Sequence, residues 1–139
     1  MLGKALLDKG AQWVTVVDLS VVGLKLAKDI EPRIDYVVSD ALTYLYLEKY
    51  DPTGAPFDVT ICMGLVCYMP PGSLQRICRY APGTELLLNL PIAEGYLEYD
   101  TRVTVYSRED VHRATEDNGW RKVCEHKSKE HVFAKYKKV

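Results

Sequence analysis

Residues Met1–Ser20 read MLGKALLDKGAQWVTVVDLS. Leu2–Lys9 has helical composition, with Leu2, Ala5 and Leu6 on one face and Gly10 at the place of a C′ glycine. Trp13–Val17 is a β-branched run, too short for a helix and apolar on both faces, which predicts an interior parallel strand. The strand ends on Asp18, and Ser20 is a good N-cap for a helix through about Ile30, stopped by Pro32. A helix, an apolar strand, a carboxylate and a second helix in that order imply an α/β chain.

The same alternation continues downstream. Ile34–Val38 is a strand ending in Ser39-Asp40, Ala41–Tyr50 is helical, and Asp51-Pro52-Thr53-Gly54 is turn chemistry. Phe57–Cys62 forms a third strand before Met63-Gly64, and Ser73–Tyr80 a short helix. Pro82-Gly83 turns into the strand Glu85–Asn89, and Arg102–Tyr106 reads as strand or extended chain. Ser107 and Asp110 suit a capping box for a helix that Gly119 ends. Trp120–His126 and His131–Tyr136 read as a closing antiparallel pair. The expected fold class is α/β, a Rossmann-like open and mainly parallel sheet with a C-terminal antiparallel strand pair.

Composition bounds the possibilities. The 139 residues suit one domain, and a hydrophobic fraction of 47% with 27% charged residues is that of an ordinary globular chain. The net charge of −1 calls for no polyanionic partner, and no nucleic acid is expected. Lys127, Lys129, Lys135, Lys137 and Lys138 form a local excess, read as a solvated edge that discourages strand aggregation. Cys62, Cys67, Cys78 and Cys124 never approach CxxC spacing, and with His112, His126 and His131 they make no zinc pattern. No metal is expected, and the thiols suit a reduced, cytoplasmic setting. No run approaches the roughly 18 apolar residues of a membrane span, so no membrane partner is expected either.

A strand that ends in a carboxylate is the device with which nucleotide-binding α/β folds hold ribose hydroxyls. An aspartate after a strand also serves as the N-cap of the next helix. For Asp40 both roles stand. For Asp18, Ser20 is the better cap, which leaves the carboxylate to a ligand.

The order VVDLS, VVSDAL, FDVTICMGLVCYM, PGTELLLNLP and VYSREDVHRATEDNGW resembles the class I S-adenosylmethionine-dependent methyltransferases over nearly the whole chain. The resemblance implies S-adenosyl-L-methionine as cofactor and a small-molecule acceptor. It implies that Asp18 binds the ribose, that Asp40 and the Ala41 N–H face the adenine edge, and that Leu19 and Leu65 sandwich the ring. Met63 and Gly64 would border the methionine end, where a glycine permits close backbone approach. Tyr68, Met69, Tyr96 and Tyr99 would line the acceptor side, with Tyr106 beside them. No catalytic base stands out. Asn89-Leu90-Pro91-Ile92 looks like the signature of adenine-N6 methyltransferases. It closes the wrong strand for that role, and Ile92 lacks the ring on which a flipped base stacks.

In this family the sheet order is 3-2-1-4-5-7-6, and Met1 aligns just after the glycine-rich loop that follows the first strand. The chain is therefore read as a single methyltransferase-like domain, N-terminally incomplete or truncated, with its central first strand missing. Such a strand buries side chains worth about 8–15 kcal/mol, comparable to a whole domain's stability. Direct pairing of the flanking strands, a homodimer that fills the gap, or a truncated gene product would each answer this. The rivals to a methyltransferase are a degenerate, non-catalytic binding or scaffolding subunit and a nicotinamide-binding fragment. Without the glycine loop, residues 1–139 are expected to bind S-adenosylmethionine more weakly than micromolar. Calorimetry checks this, and micromolar or tighter binding contradicts it.

Overall fold

The computed structural model describes residues 1–54, 57–92, 102–128 and 131–139. The chain divides into two compact units, Met1–Tyr44 and Leu45–Val139. Its elements are α1 (Leu2–Asp8), β1 (Thr15–Asp18), α2 (Val21–Ile30), β2 (Asp35–Val38), α3 (Ala41–Tyr50) and β3 (Val59–Met63). After a 3₁₀ turn at Val66–Tyr68 come α4 (Ser73–Tyr80), β4 (Glu85–Pro91), α5 (Arg108–Glu116), β5 (Trp120–Lys127) and β6 (His131–Lys138). Arg102–Tyr106 is no strand, its one ladder contact being an isolated bridge between Tyr106 and Ile92.

In the first unit β1 and β2 pair in parallel, with Thr15 opposite Asp35 and Asp18 opposite Val38. Ser20 caps α2 by accepting the Gly23 N–H at 3.0 Å. Packing is close where α1 meets the strands. A Cβ on Gly3 would lie 2.6 Å from Ile34 Cδ1, so a larger residue there would make that buried side chain shift. Beneath the turn into β2, Glu31 is 4% exposed. The Arg33 guanidinium holds it at 2.6 and 2.7 Å and keeps its carboxyl down at about 2.

The second unit is a four-stranded sheet in the order β3-β4-β6-β5. β3 and β4 are parallel, and β4-β6 and β6-β5 antiparallel. Leu86, Leu88 and Leu90 alternate onto one face of β4 and are fully buried with Leu74 and Ile77 of α4. On that side Trp120 donates its indole N–H to the Cys78 carbonyl at 2.7 Å. Ser107 and Asp110 form both halves of the capping box on α5. The C-terminal lysines do more than solvate an edge. Lys135 and Lys137 pair with Glu85, and Lys138 lies over the Trp120 ring at 4.4 Å.

The α/β class holds, but the strands make two sheets where one mainly parallel sheet was expected. Among the described residues β1 has a strand partner only in β2, and β3 only in β4. With one partner each, β1 stays half-buried along Thr15–Val17 and Trp13 is exposed, so this is no interior strand.

Candidate functional site

Parallel strands deliver the residues after their carboxyl ends to one side of the sheet. In the first unit the ladder runs one residue past the strands, where Ser39 N–H donates to the Asp18 carbonyl at 3.1 Å. Asp18 and Asp40 thus leave adjacent strand ends. Asp18 is exposed, and one carboxylate oxygen accepts the Ser20 N–H at 2.8 Å. The other has no partner among the described residues. Because Ser20 caps α2, the Asp18 carboxylate keeps a free acceptor, stronger for its charge. Leu19 is 71% exposed beside it.

Asp40 is committed differently. Its Oδ2 accepts both the N–H and the hydroxyl of Thr43 at 2.8 Å, so it is the N-cap of α3. The helix-capping role is thus seen for Asp40. Ala41 is the first residue of α3, where a backbone N–H has no intrahelical partner.

In the second unit Met63, the last residue of β3, sits opposite Asn89, and β4 runs two residues further, to Pro91, than the sequence suggested. Met63 is half-exposed and Gly64 turns the chain with φ +62°. A Cβ on Gly64 would touch nothing within 4 Å, so the glycine is required by its backbone angle and leaves open space beside it. Leu65 leads into the 3₁₀ turn and Tyr68 is 66% exposed. The Met69 carbonyl accepts the Thr104 hydroxyl at 3.2 Å, and the Cys67 carbonyl the Thr104 N–H at 2.6 Å. These bonds fasten the segment before α5 to the turn after β3.

Tyr106 takes a core position, the packing that tyrosines of this kind more often serve. It is 5% exposed, and burial, then the nearby Cys67 and Asp110, push its hydroxyl above the ordinary tyrosine range. Tyr96 and Tyr99 lie outside the described residues. The sequence reading set Asn89 aside with its motif, yet this residue is 8% exposed and its Nδ2 has no hydrogen-bond partner among the described residues. Buried amides of this kind usually find an acceptor. Its position near a strand end was legible beforehand, whereas the orphaned amide needed coordinates.

Two other features bear on the site. Among the described residues no group of His, Cys, Asp and Glu could hold a metal ion. A cavity of about 300 Å³ borders α5, β5 and β6, with Val111, Trp120 and Tyr136 among its walls. At its rim Lys122 and Arg108 both pair with Glu125, and with Lys127 they hold its carboxyl at about 2.

No family model and no curated protein matches the sequence. Solved structures do match. The magnesium protoporphyrin IX methyltransferase of Synechocystis PCC 6803 with bound SAH aligns with TM-score 0.72 at 17% identity, over 99% of this chain and 69% of that one. An S-adenosylmethionine-dependent methyltransferase from Mesorhizobium loti gives 0.74 at 12%, over 97% and 84%. An O-methyltransferase family 2 protein from Planctomyces limnophilus in complex with apigenin gives 0.68 at 16%, over 97% and 46%.

The fold is that of the class I methyltransferases.

The strand orders agree, because β2-β1 and β3-β4-β6-β5 reproduce 3-2 and 4-5-7-6 of the methyltransferase order. Within this methyltransferase fold, replacing Asp40 separates its two roles. Asp40→Ala loses the cap and about 1 kcal/mol of stability in urea unfolding, while Asp40→Asn keeps most of it. An equal loss in both variants would show that the charge, not the cap, is what stabilises α3.

Proposed function

We propose that the chain serves S-adenosylmethionine-dependent methyl transfer to a small-molecule acceptor. The observation that carries this reading is Asp18, a strand-end carboxylate freed by Ser20 to accept from a ligand. The first unit's share is to receive ribose hydroxyls on Asp18, with Leu19 and the Ala41 N–H toward the base. Asp40 shapes that end by fixing the start of α3, so its part in binding is positional. In the second unit, taken by itself, the open space beside Gly64 in the Met63-Gly64-Leu65 turn allows a ligand to approach the backbone.

S-adenosylmethionine supplies an activated methyl group on sulfur, so transfer asks mainly for positioning. Tyr68 and Met69 border the acceptor in this reading, and Asn89 offers it a buried hydrogen-bond donor. The domain is taken to work as one functional piece in the cytoplasm. Supporting that setting, all four cysteines are free thiols. No helix among the described residues is long and apolar enough to cross a membrane.

The competing reading is a non-catalytic binding subunit, favoured by the full commitment of Asp40 Oδ2 to its helix. Thermal unfolding with millimolar S-adenosylhomocysteine or NAD tests the cofactor, since a ligand stabilises by mass action even when it binds weakly. The expected result is a rise in Tm with S-adenosylhomocysteine, none with NAD, and loss of the rise in Asp18→Ala. Stabilisation by NAD alone would overturn the reading. A methyl-transfer assay over a panel of hydroxyl and amine acceptors then separates enzyme from binding subunit, turnover being expected.

A further inference from the structure

Helix α2 presents a second apolar face to solvent. Leu24 turns inward at 6% exposure, whereas Val22, Leu26 and Ile30 are 70%, 60% and 67% exposed. These three stand four residues apart, so on a helix they drift by only about 40° per step and form one continuous stripe. A large apolar side chain exposed singly is ordinary, but three in a row along one helix mark an interaction surface. Lys25 and Asp29 run along one flank of this stripe, both exposed and neither in an ion pair among the described residues. Gly23 and Ala27 run along the other flank and are small.

We propose that this face of α2 docks against the same face of a second copy of the chain, antiparallel about a two-fold axis at Leu26. The argument is self-complementarity. In that arrangement Leu26 meets Leu26 and Val22 meets Ile30 of the second copy, so the stripe covers itself. A two-fold axis perpendicular to the plane of the helix pair keeps the charged flanks on the same side. Lys25 then lies within about 3 Å, measured along the axis, of Asp29 in the second copy. The same pair recurs on the other side of the axis. A parallel arrangement sets each charged flank beside the Gly23–Ala27 flank of the other helix and pairs no charge. Complementary charges of this kind set register and orientation more than strength. The area is small beside a standard interface, so the dimer is weak, with a dissociation constant on the order of 100 µM.

Sedimentation equilibrium of the full chain from about 5 to 500 µM, with circular dichroism to verify folding, tests this. The wild type is expected to self-associate reversibly, and Leu26→Asp to stay monomeric across the range. Lys25→Asp and Asp29→Lys each set like charges together and are expected to weaken the dimer about tenfold. The double variant reverses both pairs and restores association to within about threefold of wild type. A wild type that stays monomeric throughout overturns the proposal, and so does a Leu26→Asp protein that still dimerises. Failure of the double variant to recover overturns it as well, because a merely sticky surface would not respond to the exchange of charges.

Discussion

The parallel pairing of β1 with β2, and of β3 with β4, is the constraint on which the rest depends. Neighbouring parallel strands run the same way, so the residues after their carboxyl ends emerge side by side. In the first unit those residues are Asp18-Leu19 and Ser39-Asp40. In the second they are Met63-Gly64 and the end of β4 at Asn89–Pro91. Every residue assigned to ligand binding within the described chain stands at such an end or in the turn that follows it.

What each strand end can do is then settled by small local choices in hydrogen bonding. After β1 the chain has Ser20 to cap the next helix, so Asp18 spends only one oxygen on the backbone. After β2 the chain moves into α3 directly from Asp40, so the aspartate itself caps it. Ser20 caps α2 in place of Asp18, whereas Asp40 caps α3 itself, so the two strand-end carboxylates differ in how much of their hydrogen bonding goes to the helix that follows. Beyond β3 the positive φ of Gly64 makes the turn, and Thr104 ties the segment before α5 to the carbonyls of Cys67 and Met69.

The elements were largely legible because their signals are local: β-branched runs, Ser20 and Ser107 at helix starts, and glycines at turns. The capping box closed by Asp110 is a case where sequence and structure agree in detail. Partnership between strands was not legible to the same degree. The Trp13–Val17 run is apolar enough for an interior strand, yet pairing is decided by the whole fold, and it has one partner. The roles of Asp18 and Asp40 could be separated only where a neighbouring cap residue gave a reason. Tyr106 went to the core, and Asn89 is buried with an amide unpaired among the described residues, because burial depends on packing that no local motif encodes.

The central claim proposed for the site is that the exits of β1 and β2 receive the adenosyl ligand. Backbone amide NMR during titration with S-adenosylhomocysteine addresses it residue by residue. The account predicts the largest shifts within the first unit at Asp18–Ser20 and Ser39–Ala41, saturating together with one dissociation constant. Shifts confined to the cavity beside α5, or none at millimolar ligand, would contradict it.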